Sequence, residues 1–371
     1  MRRAAVVLGT AALVVVTAAA QQPDSVLVKL RKLGLPEAPG SVPVIYVPSA
    51  KDVVTSLQES IEAARSWYEK QLNLRAPIVL AVLDAEAREK ISDRAVLPHN
   101  YADAGLIVIP AVEGNRPTDP SFYGPAPFHE DGHILARRLK MVSAHPFVNE
   151  LIAQIFSVAY MKTERPDMWV VDDLGAGRWK GAVLNDPNYT PRYTSLADVD
   201  YLNPWMGTQN YLWFEGRLGR LADFLTKDQA FPALIEKLQR AFPGGQQQVK
   251  TLEEISRLLE SLRPGVLKVA GALVGPSTIP RITPSVCPGQ AKGGGESRIV
   301  VRNDTADPLT VINLDGNDIF LNGHPPQESK ILPQYQNWIS YSVRAGTSLK
   351  LPDGSCLVAR DEPTLAVIDK Q

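Results

Sequence analysis

Cysteine is nearly absent from this 371-residue chain, which contains only Cys287 and Cys356. The two form no C-x-x-C pair, so the spacing typical of cysteine-based zinc sites is missing. In an oxidising compartment an even pair of cysteines readily forms a disulfide, which predicts a Cys287–Cys356 bond if the chain is exported. The alternative is two unrelated buried thiols.

An excess of either charge is also missing, because 39 Lys and Arg residues face 40 Asp and Glu residues and give a formal net charge of −1. Without a basic field or an aromatic and basic stripe, nothing favours nucleic acid or an acidic membrane surface as a partner. The hydrophobic share of 44% and the charged share of 21% are ordinary for globular proteins, so a core can be buried without extra cross-links.

Long apolar runs are confined to the N-terminus, where Arg2 and Arg3 precede an apolar stretch at 4–20 that ends in small residues. This pattern is typical of a secretory signal peptide, so residues 1–20 are predicted to be removed and the mature chain to be secreted or periplasmic. The alternative, an uncleaved anchor, is disfavoured because the run is short for a span of about 20 residues. No membrane span is expected after signal removal.

The pattern of apolar residues predicts an α+β fold. After an N-terminal extension at 21–43, residues 44–275 combine short buried strands with helices, including helices at 128–141 and 147–161. We expect a small mixed sheet with these two helices, followed by a helical subdomain.

A change in composition marks the end of that region. Residues 276–296 are rich in Pro, Gly, Ser and Thr and are predicted to be a linker. Residues 297–371 contain short period-2 runs separated by turns such as Asp353-Gly354, which predicts a small β-sandwich domain. This domain could bind a ligand of the cell envelope.

The motif that carries chemistry is His129-Glu130-Asp131-Gly132-His133, which has the form H-E-x-x-H. Residues four apart share a helix face, so both imidazoles can bind one metal ion, and Glu130 could accept a proton from a metal-bound water. The alternative is a solvent-facing helix with two incidental histidines. Gly132 costs about 1 kcal/mol relative to Ala within a helix, and indicates either simple tolerance or close approach of another backbone.

Glu150 is the candidate third metal ligand. It lies in the apolar segment 148–154, where a carboxylate is costly unless it is paired or bound to a metal. The alternative is a glutamate at the start of a helix, stabilised by the helix dipole. A break at 143–146 would let the two helices fold back and bring Glu150 to the histidines. Two imidazoles and one carboxylate, with one position open for water, form a catalytic zinc site.

The motif and the segment 149–154 that follows it resemble the gluzincin zinc metallopeptidases of the peptidase MA-like superfamily. In that family a helix with H-E-x-x-H is followed by a second helix with a glutamate, often within N-E-x-x-(small)-D. Asn149, Glu150 and Ala153 match this pattern, whereas Gln154 stands where the acid is expected. The family's acid orients a ligating histidine, and a glutamine can still accept its N–H but adds no negative charge, so metal affinity could be weaker.

The resemblance implies a zincin-like catalytic domain with zinc on His129, His133 and Glu150, and with Glu130 as the general base. It also implies that the strand at 105–110 is the edge strand that pairs with extended substrate.

An oxyanion stabiliser is implied as well, and in related aminopeptidases it is a tyrosine on a later helix. Tyr211 is the candidate, because it lies on the first helix after an irregular segment at 163–204. Tyr193 and Tyr201 are competitors, and a role as a core aromatic is the alternative for Tyr211.

The predicted function is an exported zinc-dependent hydrolase, specifically a peptidase that cleaves peptide bonds of a peptide or protein substrate with metal-activated water. The alternative is a catalytically inactive zincin scaffold that acts as an envelope binding protein, which the glutamine at 154 would favour. A purely structural zinc site usually has four protein ligands, and the sequence offers no fourth.

Overall fold

The computed structural model describes residues 23–93, 97–111, 124–143, 145–171, 177–179, 189–202, 206, 208–244, 251–288, 294–314, 328–331 and 337–369. The predicted signal peptide at 1–20 lies outside these residues and stays a prediction. Within the described part of the chain, no helix combines the length and the apolarity that a membrane span requires.

A five-stranded mixed sheet forms the base of the N-terminal part. Its strands are β1 Glu37–Ala38, β2 Val44–Tyr46, β3 Val79–Leu83, β4 His99–Tyr101 and β5 Leu106–Pro110. The spatial order is β1-β2-β3-β5-β4, with parallel pairing among β2, β3 and β5 and antiparallel pairing of β1 and β4 at the two edges. The inner parallel strands are buried and read as continuous apolar runs.

The edge strand is β4, so the expectation that 105–110 would form this edge is wrong. β4 pairs with β5, placing Asn100 opposite Ile107, and β5 therefore has a neighbour on both sides. The polar sequence of β4 gives no strand signal, whereas all five residues of β5 are buried. Gly105 makes the turn before β5 with φ of 63°, and a Cβ there would lie 2.6 Å from the Pro77 carbonyl oxygen.

Ten helices are found in the described residues and agree with the main helical predictions. They are α1 Pro23–Lys32, α2 Lys51–Leu72, α3 Ala85–Lys90, α4 Pro125–Arg138, α5 Pro146–Glu164, α6 Leu196–Leu202, α7 Thr208–Thr226, α8 Phe231–Ala241, α9 Leu252–Leu262 and α10 Val266–Ala270. The regions of α1, α3 and α6 carry no helix prediction from the sequence. In α1, Val26 and Leu30 are four residues apart and fully buried, so this helix of the N-terminal extension packs into the main core.

The helices α4 and α5 pack closely against each other. Gly132 of α4 permits this contact, because a Cβ at its position would lie 2.8 Å from the carbonyl oxygen and 3.0 Å from the Cα of Ala153 in α5. Of the two interpretations of Gly132, close backbone approach is therefore confirmed.

The C-terminal part is a β-sandwich, and the predicted α+β class is confirmed. Outside the sandwich, a separate two-stranded sheet consists of β6 Trp169–Val171 and β7 Gly177–Trp179. The strands of the sandwich are β8 Arg281–Ile282, β9 Glu296–Asn303, β10 Leu309–Asn313, β11 Glu328–Ile331, β12 Trp338–Arg344, β13 Ser348–Lys350, β14 Cys356–Val358 and β15 Thr364–Ile368. The two four-stranded sheets have the orders β11-β10-β13-β14 and β12-β9-β15-β8. In β9, Ile299 and Val301 enter the sandwich core while Val300 enters the main core, so the second sheet is covered on both faces.

The start of the region predicted to be a linker is attached at several points. Asp198 of α6 is fully buried and accepts hydrogen bonds from the Ser277 hydroxyl at 2.6 Å and from the Thr278 backbone N–H at 3.0 Å. Further on, β8 joins the sandwich, and the expected disulfide links Cys287 to Cys356.

We expect Gly132→Ala to lower the free energy of unfolding by about 1–3 kcal/mol, because the clash with Ala153 outweighs the gain in helix propensity. Urea unfolding followed by circular dichroism measures this change. Gly295 is the matched control, since open space surrounds its Cβ position and Gly295→Ala should stay within about 0.5 kcal/mol. Wild-type stability in Gly132→Ala would contradict the close α4–α5 contact.

We expect wild-type residues 276–288 to resist limited proteolysis and Asp198→Ala to make them cleavable. The alanine variant leaves the donors of Ser277 and Thr278 without their buried acceptor, which also costs about 1–3 kcal/mol of stability. Mass mapping of early fragments gives the cut sites, with Asp361→Ala, an exposed change, as the control. Early cuts at 276–288 in the wild type would show that the attachment does not hold in solution.

Candidate metal centre

Three side chains from α4 and α5 converge on one point. The Nε2 atoms of His129 and His133 lie 3.2 Å apart, and Oε2 of Glu150 lies 3.1 Å from the first and 3.2 Å from the second. Within the described residues, these three form the group of His, Cys, Asp and Glu side chains that could hold a metal ion. The fold-back of the two helices that the sequence predicted is thus what brings Glu150 to the histidines.

The triangle of ligand atoms fits a tetrahedral ion. Metal–ligand bonds of about 2.0–2.1 Å in a tetrahedron separate the ligand atoms by about 3.3 Å. The three observed separations of 3.1 to 3.2 Å match one face of such a tetrahedron. A single ion could therefore contact all three atoms and keep its fourth position open.

The charges around this triangle favour a cation. Burial alone would lower the pKa of His129, but its hydrogen bond to Glu150 and the charges of Glu215 and Glu130 raise the pKa to about 9. Burial alone would raise the pKa of Glu150, but the imidazoles of His133 and His129 hold it below its usual range. Several carboxyl groups thus surround two imidazoles in a largely buried space, which is an environment that stabilises positive charge.

The start of α5, and with it Glu150, is fixed by side chains rather than by the helix alone. The Asn149 amide accepts from the Ser143 backbone N–H at 2.9 Å and donates to the Ser143 carbonyl at 2.9 Å, which closes the turn between α4 and α5. His145 is the residue before Pro146 of α5, and its ring is hydrogen-bonded to Asp200 of α6. The same carboxyl group accepts from the Phe147 backbone N–H at 3.3 Å.

The Asp131 side chain, inside the motif, bonds to α2 rather than to the triangle. It is fully buried and forms an ion pair with Arg65 of α2 at 2.6 Å. Burial raises the pKa of Asp131 to about 6, although Arg65 acts in the opposite direction. This pair ties α4 to α2 and helps to set the rotation of α4 that turns the histidines toward α5.

Glu130, the candidate base, is buried beside the triangle and is held by the edge strand. The Asn100 side-chain amide of β4 donates to Oε2 of Glu130 at 2.6 Å. The charge of Glu130 contributes to the raised pKa of His129 and of Tyr211, so it acts electrostatically on both.

Of the three candidate tyrosines, Tyr211 is the one that lies near the carboxyl groups of the candidate metal centre. Burial raises the pKa of Tyr211 well above its usual value, and the carboxyl groups of Glu150, Glu215 and Glu130 raise it further. The hydroxyl therefore stays protonated and can donate a hydrogen bond. Tyr193 packs beneath Arg192, and Tyr201 bonds to Arg302 and contacts Trp338 of the sandwich, so both have other surroundings.

Glu215 is a residue of the centre that the sequence analysis missed. It lies one turn after Tyr211 on α7 and accepts a hydrogen bond from the Gln154 amide at 2.6 Å. Burial and the neighbouring Glu150 raise the pKa of Glu215 above its usual range. The position expected to carry an acid on α5 is thus a glutamine that holds an acid supplied by α7.

The sequence feature that indicated Glu150, a carboxylate within an apolar helical segment, is also present at Glu215. Glu215 follows Tyr211-Leu212-Trp213-Phe214 and is a carboxylate in an apolar helical segment. Asn100 has no comparable signal, because a lone asparagine in a short polar stretch is ordinary for a loop.

Comparison with known proteins assigns no family. No protein-family model matches the chain, and no curated protein matches it. One solved structure to which it is similar is aminopeptidase A of Legionella pneumophila in complex with aspartic acid, with a TM-score of 0.38 and 14% sequence identity. The match covers 82% of this chain and 34% of that one, so the chain spans about a third of the structure it matches. A function for this chain must therefore be inferred from its own residues.

Proposed function

We propose that this protein is a zinc-dependent hydrolase, specifically a peptidase. The observation that carries the proposal is the triangle of His129, His133 and Glu150, with edges of 3.1 to 3.2 Å and with Glu130 beside it. Two imidazoles and one carboxylate are a donor set that zinc favours in catalytic sites, whereas Mg²⁺ and Ca²⁺ prefer all-oxygen ligands.

Each residue has a distinct role in this proposal. His129, His133 and Glu150 hold the metal, which when bound would polarise a carbonyl and make water acidic. Glu130 takes the proton of the attacking water and passes it on to the leaving group. Tyr211, which stays protonated, donates a hydrogen bond to the oxygen on which negative charge develops.

A peptide substrate is supported by the position of β4. This edge strand pairs with β5 on one side, and the described part of the chain places no strand on its other side. An extended peptide could add to such an edge through main-chain hydrogen bonds. The disulfide between Cys287 and Cys356 and the basic, apolar N-terminus support export as part of the proposal. The sandwich would then be free to bind an envelope ligand.

We expect His133→Ala to remove bound zinc, because it deletes one of three ligands. Elemental analysis of the purified protein after incubation with one equivalent of zinc and desalting gives the metal content. His99→Gln is the control, since His99 pairs with Asp93 and lies outside the triangle. Stoichiometric zinc in His133→Ala would place the metal elsewhere in the chain.

We expect Glu130→Gln to retain zinc and to lower turnover of peptide substrates by about 10²–10⁴-fold, because an amide cannot accept the proton of the attacking water. Hydrolysis of a quenched fluorescent peptide library, paired with zinc analysis of both proteins, measures the two effects. Turnover close to that of the wild type would exclude Glu130 as the base. Full zinc content without turnover in the wild type would favour the inactive binding scaffold.

A further inference from the structure

We propose that Asn100 is a positioning residue for Glu130, holding one oxygen of its carboxylate so that the other faces the substrate. The inference rests on the proposed hydrolase function and assigns to the edge strand a part in placing the general base. Four features of the structure support it.

The first feature is the contact itself. The Asn100 amide nitrogen donates to Glu130 Oε2 at 2.6 Å, a short separation for an N–H···O bond. Among the described residues, Asn100 is the one side chain that hydrogen-bonds Glu130. A glutamate side chain has several rotatable bonds, so without this bond its carboxylate could adopt other rotamers.

The second feature is the rigidity of the strand that carries Asn100. The backbone of Asn100 is registered against Ile107 of β5, which is fully buried. Gly105 fixes the turn between the two strands, because no other residue fits its backbone beside Pro77. The backbone position of Asn100 is therefore set by the sheet and not by the side chain of Glu130.

The third feature is a second attachment between the same two elements. Arg137 of α4 donates to both carboxylate oxygens of Asp103, just after β4, at 2.8 and 3.0 Å. This pair is half exposed, so its energy is small, but its two-point geometry fixes how β4 lies along α4.

The fourth feature is a cavity of about 270 Å³ beside the contact. Asn100 lines it together with His133. Asn100 thus contacts the base and also lines a space that is bordered by a candidate metal ligand.

Two variants test the role of Asn100. Asn100→Ala removes the donor, and Asn100→Asp keeps the shape of the side chain but replaces the donor by a carboxylate that repels Glu130. We expect kcat to fall about 10- to 100-fold in Asn100→Ala, the range for losing a hydrogen bond to a charged group. The fall should be at least as large in Asn100→Asp, while KM changes less than 3-fold and zinc content stays at one per chain.

A purely structural role would give a different pattern. If Asn100 served only to fill space on β4, its loss in Asn100→Ala would lower stability and leave kcat unchanged, and wild-type kcat in Asn100→Asp would likewise overturn the proposal. A kcat that is unchanged or increased in Asn100→Ala would also overturn it, and so would a loss confined to KM.

A binding measurement separates this proposal from the proposed function. Calorimetric titration of the zinc-loaded protein with a peptide hydroxamate should show at least 10-fold weaker binding to Asn100→Ala and to Glu130→Gln than to the wild type, because Glu130 would accept a hydrogen bond from the inhibitor. The double variant should bind no more weakly than Glu130→Gln alone. Equal affinity of Asn100→Ala and wild type contradicts the role of Asn100. Absence of zinc from the wild type itself contradicts the hydrolase proposal instead.

Discussion

The close contact between α4 and α5 is the constraint on which the candidate metal centre depends. The two histidines share a face of α4 by helical periodicity alone, but the carboxylate of Glu150 reaches them only because α5 crosses α4 at backbone distance. Gly132 permits this approach, since any side chain there would meet Ala153. The glycine at position 132 thus allows both the short distance between the two helices and the short distances between Glu150 and the histidines.

The buried charges of the centre are supported by elements outside the two motif helices. Arg65 of α2 pairs with Asp131, Asn100 of β4 binds Glu130, and Gln154 holds Glu215 of α7. Each contact gives one buried polar atom a partner, and an unpaired polar atom would be costly to bury in this core. The carboxyl groups of Glu130, Glu150 and Glu215 act on the imidazole of His129, an arrangement that is compatible with a bound metal ion.

The β-sandwich is also connected to the candidate metal centre through α6. Trp338 of β12 stacks on His145 with ring centroids 5.3 Å apart, and His145 immediately precedes the helix that carries Glu150. Asp200 of α6 bonds to His145, and Asp198 on the same helix holds the start of the segment that leads into the sandwich. The C-terminal region therefore packs against the start of α5, the helix that carries Glu150.

The sequence by itself determined the α+β class, the main helices, the H-E-x-x-H motif and the choice of Glu150, because helical periodicity and the cost of burying charge act locally. Tertiary structure alone decided that β4 and not β5 is the edge, that Gln154 holds an acid from α7, and that Asn100 contacts Glu130. The contact of Asn100 with Glu130 joins residues 30 positions apart, and that of Gln154 with Glu215 joins residues 61 positions apart. Such pairs cannot be predicted from spacing in the sequence, because they form only when separate helices and strands pack together.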